Sequence, residues 1–199
     1  MIKSILSDIG NVILSVRTDH FPSALAENAN VNIEIARQAI NTSLDYNVDE
    51  RINRGEMTMQ NYFDSHLKGL GKLNYCGFEK AWKQIVGEDF PEIKQAYHDL
   101  RVPLYILSNI NDVHTQVLKQ HWLNDIAVQF WASYEIGLIK PAHEVYEFAL
   151  KNIDCKPEEI LFFDDLIPNI ATSLEMGINA TLFTCPADVI NKFKKYELI

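Results

Sequence analysis

The chain is poor in cysteine, carries no surplus of positive charge and has no long apolar run. Each absence removes a class of protein. Its 199 residues include three cysteines, Cys76, Cys155 and Cys185. They are far apart, odd in number and form no Cys-x-x-Cys or Cys/His spacing, which argues against a disulfide framework and a thiolate metal site. A reduced, cytoplasmic setting is the expectation. The N-terminal segment reaches Asp8 before a secretory apolar region could form. No apolar run approaches the ~20 residues a membrane span requires. Lys and Arg number 18 against 27 Asp and Glu, a formal net charge of −9. Such a chain repels a phosphate backbone, and no local basic patch offsets this. Lys192, Lys194 and Lys195 read as the solvated face of a last helix. Neither nucleic acid nor membrane is an expected partner, and internal repeats and low-complexity segments are absent.

What is present suits a folded domain. Hydrophobic residues make up 47% and charged residues 23%, a globular composition. The length allows one sizeable core with a small accessory domain. Residues 2–7 read as a buried strand. From about Asp19 to Val86 apolar residues recur at helical spacing, as in Phe78, Ala81, Trp82 and Ile85, and no strand is expected there. After Pro91 the pattern alternates. A helix from Pro91, a strand near 103–107, a helix at 112–121 and a strand near 128–132 are followed by a helix from about Ala142. A strand at 160–163, a helix with Pro168 in its first turn and Gly177 past its end, a strand at 179–183 and a final helix from about 187 complete the chain. Alternation of this kind implies βαβ units and a parallel sheet.

Four segments place chemistry at strand ends, the edge where open α/β sheets bind ligands. Asp8 follows Ile5-Leu6-Ser7. A carboxylate there could attack phosphorus if positioned beside a metal ion, or could be a turn or helix-capping residue. Ser108-Asn109 follows Leu104-Tyr105-Ile106-Leu107. A hydroxyl and a backbone N–H at a helix entrance bind phosphate oxygens, although Ser-Asn is also a common turn pair. Lys140, before Pro141, could neutralise nucleophile and phosphoryl group together, or could be a solvated lysine. Asp164 and Asp165 leave the strand Ile160-Leu161-Phe162-Phe163 side by side. Adjacent carboxylates repel unless neutralised, and a hard divalent ion, most simply Mg²⁺, supplies the charge. Asn169, near the next helix start, could orient them. Together these residues suit phosphoryl transfer.

In order and spacing the four segments resemble the motifs of the haloacid dehalogenase-like hydrolase superfamily, over essentially the whole chain. Asp8-Ile9-Gly10-Asn11-Val12, Arg54-Gly55-Glu56, Ser108-Asn109-x-Asn111-x-x-His114, Lys140-Pro141 and Asp164-Asp165-x-x-x-Asn169 are similar to a bacterial subgroup. That subgroup contains the alpha-D-glucose-1-phosphate phosphatase and lies near the phosphatase domain of soluble epoxide hydrolase. The resemblance implies a Rossmann-like parallel α/β core of residues 1–14 and 87–199, with residues 15–86 as a small α-helical cap inserted after the first strand. It implies a Mg²⁺-dependent phosphatase of small phosphorylated metabolites. Asp8 would be the nucleophile and Lys140 a catalytic cation. Ser108, Asn109 and Lys140 would hold the phosphoryl oxygens. Asp8, the Gly10 carbonyl, Asp164 and Asp165 would hold Mg²⁺, with Asp165 the more direct ligand of the pair. A monomer or homodimer acting on a small phosphate ester is the expected form.

The chain departs from the usual motif at Gly10, where these phosphatases carry a second Asp as general acid and base. General acid–base catalysis contributes ~10²–10⁴ in rate. Its loss favours an ester whose oxygen departs readily, and an anomeric sugar oxygen qualifies, so a sugar 1-phosphate is one expectation. Water, Asp19 or His20 is the alternative proton carrier. His114 is expected at the surface or in a cap, and Trp82, Tyr62 and Phe63 in the core. Two rivals share the fold. One is a metal-independent 2-haloacid dehalogenase, which usually has an aromatic residue at the position of Gly10 and gives the acidic pair no role. The other is a binding protein that has lost catalytic power.

Overall fold

The computed structural model describes residues 1–43 and 47–199; residues 44–46 of the expected helical stretch lie outside that description. The chain opens with strand β1 (Ser4–Ser7) and a short strand β2 (Leu14–Val16). Helices α1 (Phe21–Ala29), α2 (Ile33–Ser43), α3 (Val48–Asn53), α4 (Met59–Tyr62) and α5 (Tyr75–Lys83) follow, with a wide turn over Phe63–Leu67. Strand β3 (Val86–Asp89) and α6 (Pro91–His98) lead to β4 (Leu104–Ser108), α7 (Asp112–Leu118) and α8 (Leu123–Ile126). Then come β5 (Ala127–Ala132), α9 (Ser133–Ile136), α10 (His143–Asn152), β6 (Ile160–Asp164), α11 (Ile167–Glu175), β7 (Asn179–Leu182) and α12 (Pro186–Lys195).

Five strands form one sheet in the order β5-β4-β1-β6-β7, and every neighbouring pair is parallel. Strands β1 and β6 are buried along their whole length. Their uninterrupted apolar runs follow from helices covering both faces of the sheet. One face packs Ile5, Leu161 and Phe163 against Tyr97, Val189 and Phe193. The other packs Leu6 and Phe162 against Val145, Tyr146 and Ala149. With β1 central, the chain leaves it in both directions across the sheet, and the strand ends on either side of β1 face a shared crevice. The fold is thus the Rossmann-like parallel α/β class expected from the alternation.

The helices from α1 to α5 have their own apolar centre. Phe21, Tyr62, Phe63 and Phe78 are buried there, and Trp82 packs on them. Ring contacts link Phe21 to Phe78, Phe63 to Phe78, and Phe21 edge-on to Trp82 at 4.8 Å between centroids. Side-chain caps begin two of these helices. Asn61 N–H donates to Thr58 Oγ1 at α4, and Gly77 N–H donates to Asn74 Oδ1 at α5, the expected use of Thr and Asn at helix entrances.

One feature was not expected from the sequence. Strands β2 and β3 form an antiparallel ribbon, with Leu14 opposite Asp89 and Val16 opposite Val86. It spans the two points, 14/15 and 86/87, at which the sequence reading divides core from cap. Gly87 permits its close approach, since a Cβ there would stand 2.6 Å from the Ser15 carbonyl oxygen. The ribbon and three side-chain contacts tie the helical region to the sheet region. Arg54 Nη1 donates to the Gly137 carbonyl, Met59 N–H donates to Asp112 Oδ1, and His114 Nε2 lies 3.0 Å from the Trp82 carbonyl.

Candidate active site

Strand geometry brings the four sequence segments together. Asp8 is the first residue beyond β1, and its N–H donates to the Phe163 carbonyl of β6 at 2.9 Å. Ser7, just before it, uses its hydroxyl on the Asp8 carbonyl at 2.7 Å and on Tyr97 Oη at 2.8 Å. Asp164 ends β6 and Ser108 ends β4. Both neighbours of β1 therefore deliver a functional group to the same edge.

Lys140 is buried between two acids. Its Nζ lies 2.6 Å from Asp164 Oδ2 and 3.0 Å from Asp8 Oδ1. Burial acts against the ammonium charge, but Asp8 and Asp164 outweigh it and raise the lysine above its ordinary pKa. The cation stays charged. The Asp8 pKa is raised as well, up to about 6, chiefly because burial disfavours its charged form; Lys140 opposes the shift and Asp164 adds to it.

Asp164 spends both oxygens on the protein. Oδ2 meets Lys140, while Oδ1 accepts from Leu166 N–H at 2.9 Å and Asn169 Nδ2 at 2.8 Å. Asn169 thus makes the orienting contact its position suggested. Asp165 is less enclosed and accepts from Asn11 Nδ2 at 3.0 Å. Asn11 in turn accepts from Val16 N–H through Oδ1 and holds φ +54°, a left-handed conformation that Asn tolerates. Asn11 was not singled out by the sequence reading. Its signal was its place in the Asp8-Ile9-Gly10-Asn11-Val12 motif, in the turn before β2.

Asn109 serves Lys140 directly. Its Nδ2 donates to the Lys140 carbonyl at 2.8 Å and its Oδ1 accepts the Lys140 N–H at 2.9 Å. The side-chain amide is thereby held against the Lys140 backbone, beside a backbone N–H that Asn109 can offer an anion. Its neighbour Ser108 is buried at the strand end.

A divalent ion fits these donors. Asp8, Asp164 and Asp165 each offer one carboxylate oxygen, all within 4.8 Å of one another. Three carboxylates face one ammonium, and the buried Asp8 Oδ1 makes no aligned hydrogen bond despite its approach to Lys140. Oxygen donors and surplus negative charge suit Mg²⁺.

Gly10 carries no proton donor, and the ribbon approaches it closely on one side. A Cβ on Gly10 would stand 3.0 Å from Val16 Cγ2. Asp19 and His20 are exposed and line a polar depression with Glu27 and Gln84, apart from the cavity that Gly10 lines. His114 is not a surface residue, contrary to the sequence expectation. It is half-buried, stacks on Trp82 at 5.5 Å with 11° between ring planes, and burial lowers its pKa. Asn111 caps α7 by accepting His114 N–H at 3.0 Å.

A parallel sheet with an acidic and cationic cluster at its strand ends defines a class of hydrolase, and comparison with known proteins gives that class its family. Residues 2–177 match the family model of haloacid dehalogenase-like hydrolases, and the chain belongs to that family. It is 28% identical to D-ribitol-5-phosphate phosphatase of Bacteroides thetaiotaomicron over 89% of each chain. It is 31% identical to bifunctional epoxide hydrolase 2 of Rattus norvegicus, over 39% of this chain and 13% of that protein. Its fold is similar to that of a HAD family enzyme of Bacteroides thetaiotaomicron solved with magnesium and inorganic phosphate, at TM-score 0.80, 21% identity and coverage of 92% and 94% of the two chains.

Proposed function

We propose that the chain is a Mg²⁺-dependent phosphatase of small phosphorylated metabolites that works through an aspartyl-phosphate on Asp8. The observation that carries this reading is the buried Lys140 held between Asp8 and Asp164, at 3.0 and 2.6 Å, beside a third carboxylate. In the proposed reaction a carboxylate oxygen of Asp8 forms a bond to phosphorus. The bond from phosphorus to the ester oxygen breaks, and the departing oxygen takes a proton from water. A second water attacks phosphorus, releases phosphate and restores Asp8. Lys140, the Ser108 hydroxyl and the Asn109 N–H hold the phosphoryl oxygens. Asp8, the Gly10 carbonyl, Asp164 and Asp165 hold the metal, with Asp165 the more direct ligand of the pair because both Asp164 oxygens are already engaged. Bound Mg²⁺ supplies positive charge to the phosphoryl oxygens.

Residues 15–86 act as a cap in this reading, over a core of residues 1–14 and 87–199. A cap excludes water and selects substrate. The ribitol phosphate acted on by the 28% identical relative supports a small phosphate ester as substrate. The missing carboxyl at Gly10 supports an ester oxygen that departs without a strong acid, as in a sugar 1-phosphate. The dehalogenase alternative uses no metal and gives Asp165, whose one side-chain partner is Asn11, no catalytic task. A cytoplasmic monomer or homodimer completes the proposal; among the described residues no helix is long and apolar enough to cross a membrane.

The test is phosphate release from a panel of sugar, nucleotide and alkyl phosphates with and without Mg²⁺. Release that depends on Mg²⁺ is expected. Halide release from 2-haloacids without metal, or no release from any ester by folded protein, would overturn it.

A further inference from the structure

Beside Gly10 lies a cavity of about 130 Å³, between the loops after β1 and β4 and the β2–β3 ribbon. Leu14, Val16, Ile85, Val86, Ile110 and Leu118 supply most of its wall. Three other lining residues, Ser108, Asn109 and His114, have polar side chains. Two of those already have hydrogen-bond partners within the protein. The Asn109 amide is used at both ends on the Lys140 backbone. His114 has one ring nitrogen at the Trp82 carbonyl and the other 3.4 Å from Asn111 Nδ2. Ser108 belongs to the phosphoryl corner of the site.

We propose that this cavity receives the body of the ester, and that the body is compact and apolar. The substrate class is a phosphate monoester of a short alkyl, allyl or aryl group. The inference rests on the phosphatase reading and puts an apolar ester in the place of the sugar 1-phosphate. An apolar protein cavity of ~150 Å³ holds a benzene molecule, so the space here suits a body of about six carbons. A polyol placed in it would bury hydroxyls without partners, and each such loss costs about tenfold or more in binding. No side chain at position 10 can meet a hydroxyl, because that position is glycine, and a Cβ there would stand 3.0 Å from the Val16 methyl. An aryl ester meets both conditions at once: its body suits the wall, and its oxygen leaves without a proton from position 10.

The test compares two primary esters of similar leaving-group acidity, 3-methylbutyl phosphate and D-ribitol 5-phosphate, on the full chain with Mg²⁺. Phenyl phosphate is the third substrate. A kcat/KM at least about tenfold higher for the methylbutyl ester is expected, the scale on which apolar pockets discriminate. Val86→Thr keeps the side-chain shape and adds a hydroxyl to the wall; it should narrow that preference several-fold by raising KM for the methylbutyl ester. Equal or better turnover of the ribitol ester, unchanged by Val86→Thr, would overturn the apolar assignment and leave the phosphatase reading standing. No phosphate from any of the three esters would overturn the apolar assignment, and no phosphate from the sugar and nucleotide phosphates either would remove both.

Discussion

The two halves of this molecule bury opposite kinds of chemistry. At the strand ends, Asp8, Lys140 and Asp164 are charged groups almost out of reach of water. In the helical region the buried centre is aromatic, from Phe21 through Tyr62 and Phe63 to Phe78. Its buried polar contact is a hydroxyl pair, Ser43 with Tyr62 at 2.6 Å. The difference shows where stability is surrendered for function. Desolvating a charge is costly even when paired, and that cost is concentrated at the strand ends around β1. Burying aromatic surface stabilises, so the helical region can be built for packing and shape alone. Substitutions on the two sides should therefore fail in different ways.

The largest effect is expected from Asp8→Asn. Turnover should fall by about 10⁴-fold or more, the scale for loss of a nucleophile, yet the metal-free melting temperature should not fall. The sign follows from the raised pKa. Stability from such a carboxyl is present below its ordinary value and lost as pH rises through about 6, so near neutral pH the ionised Asp8 destabilises the metal-free fold. Thermal melts beside initial rates check both halves. A destabilised variant would mean that Asp8 is a structural residue.

Lys140→Met should destabilise by about 3–5 kcal/mol, because removing one partner strands a buried charge. Urea titration measures this. Added Mg²⁺ should restore part of the loss, since it neutralises the same carboxylates. Stability equal to that of the unmodified chain would contradict the buried cluster.

Phe78→Ala tests the other half. Phe78 is fully buried, and a Phe→Ala cavity costs about 3–5 kcal/mol. The loss should match that of Lys140→Met in size but differ in kind. Mg²⁺ affinity, measured by calorimetry on the folded protein, should stay unchanged. A large change in metal binding would break the division between the two regions.

The smallest effect is expected from Asp165→Asn. Asp165 has one side-chain partner, Asn11, so the fold should persist. The Mg²⁺ concentration for half-maximal rate should rise by about 10–100-fold, the usual scale for weakening a metal site. Rate against metal concentration is the measurement, and an unchanged curve would contradict a metal role for Asp165.

Most of the sheet region could be read from the sequence because its elements carry local signals. Runs such as Ile160–Phe163 are continuous and apolar, and Pro168 and Gly177 mark the ends of α11. Strand order then brought Asp8, Ser108, Lys140 and Asp164 toward one edge. The β2–β3 ribbon was not legible, because its pairing joins Leu14 to Asp89 across 75 positions of chain. Val86-Gly87-Glu88-Asp89 also has weak strand propensity. For the same reason Asn109 was read as an anion ligand alone, although its amide clamps the Lys140 backbone 31 residues away. His114 was read as a surface or capping residue because nothing in its helix announces Trp82 of a distant helix as its stacking partner. Local chemistry was visible in the chain, whereas contacts made only by tertiary packing were not.

The central claim is that Asp8 itself carries the phosphoryl group. It is tested most directly by quenching the Mg²⁺-loaded chain in acid during its first turnover of a phosphate ester, then mapping peptides by mass. One phosphoryl group on the peptide containing Asp8, rising and then decaying within the turnover and absent from Asp8→Asn, is the predicted result. Phosphate release with no such adduct, or with the adduct on another residue, would contradict it.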